Sequence, residues 1–156
     1  MTATDDKLAL GFVLNDEAVE AAVAPFELLI DMLRTQFGLT GTKRSCDVEV
    51  CGACTVLVDG LPISSCTTLA ADVDGRAVRT IEGLGRNGEL SRVQRAFVEH
   101  AGLQCGFCTP GMILATTALL EISPRPSDAE IRHFLRGNIC RCTGYVKILE
   151  AVKSLV

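Results

Sequence analysis

A chain of 156 residues, 48% of them apolar, has material for one domain or two small ones with a real core. A formal charge of −4, no Trp and a single Tyr (Tyr145) exclude a basic or aromatic surface for nucleic acid. Eight cysteines are the compositional outlier. The opening Met1 to Lys7 lacks the basic and apolar regions of a secretory signal, and no apolar run approaches the roughly 18 residues of a membrane span. The chain is therefore read as cytoplasmic, where thiols stay reduced, and C-x2-C or C-x-C pairs would in any case make poor long-range disulfide staples.

In chain order, Lys7 to Leu14 and Glu17 to Val23 read as a hairpin turning at Asn15-Asp16. Pro25 precedes a predicted helix from Phe26 to Phe37, with Phe26, Leu29, Ile30, Leu33 and Phe37 at helical spacing and Gly38 as its stop. Lys43 and Arg44 then lead into a cysteine loop, either as a solvated pair or as an offset to negative charge.

That loop is Cys46-x4-Cys51-Gly-Ala-Cys54, followed by Cys66. C-x4-C-x2-C with a later fourth cysteine is the plant-type [2Fe–2S] spacing. Gly52 and Ala53 remove side-chain bulk, so backbone N–H groups can approach sulfur. Thr55 to Val58, the turn Asp59-Gly60 and Leu61 to Ser65 form a second predicted hairpin, which returns Cys66 to Cys54. Thr67 to Ala71 suits a short helix, Asp74-Gly75 a turn, and Arg76 to Thr80 a strand closing the sheet. The order so far predicts a small α+β sheet crossed by one helix.

At Ile81 the texture changes. Gly83, Gly85 and Gly88 read as a linker, because their G-x-G-x-x-G spacing lacks the βαβ setting and distant acidic residue of a dinucleotide site. The domain boundary is placed there: residues 1–80, a linker at 81–88, and a helical domain at 89–156. Four helices are expected in the second domain. One spans Leu90–Ala101, a second is opened by Thr109 and Pro110, and a third is capped by Ser127-x-x-Glu130 and ends at Leu135 or Arg136. The fourth runs from Tyr145 to Val156.

Cys105-x2-Cys108 and Cys140-x-Cys142 each precede a helix start, where free N–H groups and the helix dipole favour thiolates. Two helix starts brought face to face would gather four thiolates in a buried site. The spacing alone leaves zinc open, and C-x2-C also occurs in thioredoxin-like proteins, which have a βαβ context missing here. His100 and His133 lie outside both motifs and are read as core-edge or surface residues. Arg141 stands between two ligands and suits either a charge offset or an intersubunit contact.

Taken together, Cys46-x4-Cys51-Gly-Ala-Cys54-Thr-Val, Gln104-Cys-Gly-Phe-Cys-Thr-Pro-Gly111 and Asn138-Ile-Cys-Arg-Cys-Thr-Gly-Tyr145 resemble the small iron–sulfur subunit of the molybdenum hydroxylases, the xanthine dehydrogenase, aldehyde oxidoreductase and carbon monoxide dehydrogenase family. The resemblance runs from about residue 7 to residue 153. It implies an α+β architecture, a β-grasp ferredoxin-like domain followed by a four-helix bundle. It implies two [2Fe–2S] clusters: an outer one on Cys46, Cys51, Cys54 and Cys66, and an inner one on Cys105, Cys108, Cys140 and Cys142. Gln104 and Cys142 match positions that contact a molybdopterin held by a separate large subunit. Electrons would pass from that centre through both clusters towards a FAD on a medium subunit, within a heterotrimer or a dimer of heterotrimers. No substrate chemistry would occur in this chain. Asp47 and Glu49 stand where some family members have glycine. A free-standing two-cluster ferredoxin, or the small subunit of a hydroxybenzoyl-CoA reductase suggested by Tyr145 to Ile148, stays open on these residues.

Overall fold

The computed structural model describes residues 7–156; Met1 to Asp6, on which the reading of the N-terminus rests, lie outside them. Strands β1 (Leu8–Leu14) and β2 (Glu17–Val23) form the first hairpin in full register from Leu8↔Val23 to Leu14↔Glu17. Asn15 and Asp16 both take positive φ, which matches the right-handed twist of the flanking strands. Along β1 burial alternates, with Leu10, Phe12 and Leu14 inside.

Helix α1 (Leu29–Thr35) begins three residues later than its apolar spacing predicts. Leu28 forms an isolated bridge with Leu69, and the Leu29 N–H donates to the Thr68 carbonyl. These long-range bonds hold the preceding residues out of the helix. Phe26 is consequently 80% exposed rather than part of the buried stripe. Phe37 lies beyond the helix end and meets Phe12 edge to face at 5.8 Å.

Strands β3 (Thr55–Val58) and β4 (Leu61–Ser64) pair across Asp59-Gly60 as expected. The predicted helix at 67–71 is instead a 3₁₀ turn at Ala70–Val73. Strand β5 (Ala77–Arg79) does not close an edge. It lies in the middle of the sheet, in the order β2-β1-β5-β3-β4, parallel to β1 and antiparallel to β3.

The second half contains α2 (Arg92–Glu99), α3 (Thr109–Ile122), α4 (Asp128–Leu135) and α5 (Val146–Lys153). Helix α2 is shorter than predicted because Ser91 forms a capping box with Gln94, leaving Leu90 outside it. Ser127 and Glu130 form the predicted box on α4. Thr109 is not the cap of α3: Cys108 takes that place, and Thr109 is the first helical residue. Tyr145 precedes α5 in a left-handed conformation, and the helix ends at Lys153, short of Val156.

Helix α3 is apolar nearly all round, so it needs cover on every side. On one flank Leu114 and Ala118 pack on Leu57 of β3; on the other, Met112, Ile113, Ala115 and Leu119 join α2, α4 and α5 in the larger core. Val56 and Val58 turn the opposite way, towards Leu29, Met32 and Leu33 of α1. Strand β3 is therefore buried on both faces, between α1 and α3. The segment read as a linker is packed as well, with Ile81 and Leu84 against both the α3–β3 seam and the helical core. Among the described residues no helix is long and apolar enough to cross a membrane.

Candidate metal centres

The first site is a loop wrapped around one sulfur. Asp47, Glu49 and Gly52 all take positive φ, and the two non-glycine residues carry local strain of about 1 kcal/mol each. The alternation turns successive N–H groups inward. Those of Val48, Val50 and Cys51 converge on Cys46 and lower its thiol to about 6, with Val50 N at 3.4 Å from Sγ. Arg44 is not an ordinary solvated cation. Its guanidinium pairs with Asp31 on α1 and with Asp47, tying the loop to the helix. The Lys43 ammonium donates to the Thr40 carbonyl.

The β3–β4 hairpin supplies the other half of this site. Cys54 and Cys66 are buried beside Ile30, and the Ser65 hydroxyl donates to the Cys54 carbonyl at 2.7 Å. Burial pushes the Cys54 thiol up to about 11. Cys46 contacts Cys51, and Cys54 contacts Cys66.

The second site joins the α3 start to the loop before α5. Cys105 Sγ and Cys142 Sγ lie 3.6 Å apart, and Cys108 is in contact with Cys140. Burial raises the Cys108 thiol to about 12. At Cys140 desolvation is the largest single influence and acts upward. It is outweighed by the Thr143 hydroxyl at 3.1 Å and by backbone N–H groups, so the thiol falls to about 7. Cys142 is raised by its contact with Cys105. The expected burial of this set holds for Cys140 alone. Cys105 and Cys142 are exposed beside exposed Gln104 and Phe107, because both helix starts open at the surface of the chain.

All eight cysteines are free, and they meet as four pairs. Among the described residues no three His, Cys, Asp or Glu side chains gather around one ion position. Two thiols per metal, with two such pairs adjacent, is the donor set of a binuclear [2Fe–2S] centre. A buried Thr109 hydroxyl, directly after Cys108, has no protein partner and would be satisfied by a sulfur acceptor there. The residues present fit the group at both sites.

Residues that motif spacing did not single out connect the two sites. The Ile139 N–H donates to the Cys51 carbonyl at 2.9 Å, and the Asn138 amide donates to the Gly52 carbonyl at 3.0 Å. Asn138 is buried, and Gly111 of α3 lies directly against Gly52. One residue of the first loop thus touches the residue preceding Cys140. Gly52, Gly111, Asn138 and Ile139 all lie within the cysteine motifs, but residue spacing does not say that they meet.

His133 is exposed on α4, away from every cysteine contact. His133→Asn is expected to leave iron and sulfide content unchanged; loss of iron in the purified variant would make the histidine a ligand.

Comparison with known proteins gives a consistent picture. Residues 27–98 match the model of a 2Fe-2S iron-sulfur cluster binding domain, and residues 80–153 match that of a [2Fe-2S] binding domain. The chain is 44% identical over 151 residues to the nicotinate dehydrogenase small FeS subunit of Eubacterium barkeri, covering 97% of this chain and 96% of that one. It is 45% identical over 150 residues to the xanthine dehydrogenase iron-sulfur-binding subunit of Escherichia coli O157:H7, covering 94% and 93%. Quinoline 2-oxidoreductase from Pseudomonas putida 86 contains a chain of the same fold, with TM-score 0.90 and 43% identity over 94% of this chain and 91% of that one.

Proposed function

The chain belongs to the iron–sulfur subunits of the xanthine dehydrogenase family of molybdenum hydroxylases, and from that premise we propose how its residues do the work of an electron-transfer subunit. Cys46, Cys51, Cys54 and Cys66 hold an outer [2Fe–2S] cluster; Cys105, Cys108, Cys140 and Cys142 hold an inner one. Each bound cluster supplies one-electron redox chemistry. Residues 1–80 are a β-grasp ferredoxin-like module, 81–88 a linker and 89–156 a four-helix bundle. The partner is a large molybdopterin-bearing subunit, and Gln104 and Cys142 contact the pterin. A medium FAD-binding subunit accepts the electrons, in a heterotrimer or a dimer of heterotrimers.

The observation that carries this reading is the junction between the two cysteine loops. The hydrogen bond from Ile139 N–H to the Cys51 carbonyl joins one proposed ligand, Cys51, to the residue that precedes another, Cys140. The chain's residues thus place two carriers in series, hold them rigidly and keep water from the buried thiols Cys54, Cys66 and Cys140. Exposure of Gln104, Cys105, Phe107 and Cys142 favours a subunit whose inner site is covered by a partner, since a soluble carrier gains nothing from an apolar rim around it.

Native mass spectrometry of the protein isolated gently from its host tests the reading. Two Fe₂S₂ masses in a complex with a large pterin-bearing chain are expected. The same clusters on a lone chain, under conditions that preserve complexes, would make it a ferredoxin, and a zinc mass at the second site would overturn the inner ligand assignment.

A further inference from the structure

The loop before α5 closes a ring of three directed hydrogen bonds around one thiol. The Cys140 N–H donates to the Tyr145 hydroxyl oxygen at 2.9 Å, the Tyr145 N–H donates to Thr143 Oγ1 at 3.2 Å, and the Thr143 hydroxyl donates to Cys140 Sγ at 3.1 Å. Thr143 Oγ1 accepts a hydrogen bond from the Tyr145 N–H through one lone pair, and a metal-ligating thiolate at Cys140 carries no proton to give, so the threonine hydroxyl is the donor to sulfur. Two successive left-handed residues, Gly144 at φ 61° and Tyr145 at φ 67°, make the turn tight enough for this. Among the described residues this is the one side-chain hydroxyl that donates to a cysteine sulfur.

We propose that Thr143, acting through Cys140, sets the reduction potential of the inner centre. The proposal rests on the ligand assignment above and goes beyond it. A donor to a thiolate stabilises whichever state carries more negative charge, and reduction adds one electron to the centre. The hydroxyl bond therefore favours the reduced state and raises the potential. No bond to sulfur breaks, and the proton stays on Oγ1. The placement gives the effect a direction: Cys140 is the buried member of its set and is joined through Ile139 to the Cys51 carbonyl, whereas Cys105 and Cys142 open to the surface. The tuned cysteine is the one whose neighbouring residue is hydrogen-bonded to the outer site.

The test is a redox titration of the purified complex followed by low-temperature EPR, comparing the native protein with Thr143→Val and Thr143→Ser. Valine keeps the shape and removes the donor; serine keeps the donor. We expect valine to weaken reduction of one signal about tenfold, which is 59 mV for a one-electron couple. The second signal should stay unmoved and serine should match the native protein. An unchanged midpoint in the valine variant overturns the proposal. If that variant loads no inner cluster, pulsed EPR of the native complex exchanged into heavy water decides. A hydroxyl deuteron coupled to the inner signal and retained by serine supports the bond, and its absence overturns it. A native complex with only one [2Fe–2S] signal would instead sink the ligand assignment itself.

Discussion

Gly111→Ala is expected to destabilise the protein by about 3 kcal/mol, a fall in melting temperature of roughly 10 °C for a chain of this length. A Cβ at this position would overlap the Gly52 carbonyl oxygen, and Asn138 Nδ2 would stand 3.3 Å away. The obstacle is backbone rather than a flexible side-chain end, so the cost cannot be relieved by a rotamer change. Helix α3 would have to withdraw from the first cysteine loop, stretching the bonds of Asn138 to Gly52 and of Ile139 to Cys51. Gly11→Ala is the control. It lies on β1 with nothing within 4 Å of an added Cβ and should change stability by less than about 0.5 kcal/mol. Thermal unfolding of both variants checks the pair, and equal midpoints would show that the close approach at Gly111 carries no energy.

Cys108→Ser is expected to remove one of two distinguishable [2Fe–2S] EPR signals together with half of the bound iron. Cys108 sits at the cap of α3, partly buried and in contact with Cys140, and its thiol is held high in the metal-free chain by burial. A serine there offers a poor iron ligand at a partly buried position. The signal that survives should be the one that Cys54→Ser abolishes, because Cys54 and Cys66 lie with Ile30 at the other site. Two intact signals in the Cys108 variant would refute the inner ligand set. Loss of both would mean that the two sites form as one unit, which the Ile139–Cys51 bond makes physically reasonable.

These two results separate what binds from what couples. The proposed ligand cysteines meet in four pairs. The junction of Gly52, Gly111 and Asn138 contains none of the proposed ligands, yet it seats α3 and the loop before α5 directly against the first cysteine loop.

Sequence by itself determined several features that rest on short-range rules. The C-x4-C-x2-C loop, the Asp59-Gly60 hairpin that returns Cys66 to Cys54, and the Ser127-x-x-Glu130 cap all appear in the structure as their local patterns require. Each depends on a few neighbouring residues, so the information is contiguous. Tertiary structure alone decided the features that need distant chain segments to meet. β5 lies between β1 and β3 because parallel pairing joins residues more than 60 positions apart. Phe26 leaves its predicted helix because Leu28 bridges to Leu69, and Arg44 turns from a solvated cation into a clamp because α1 brings Asp31 beside it. Asn138 and Gly111 look like a turn residue and a helix residue until α3 is seated on β3. Their roles arise from closing long loops around a shared core, which residue spacing does not encode.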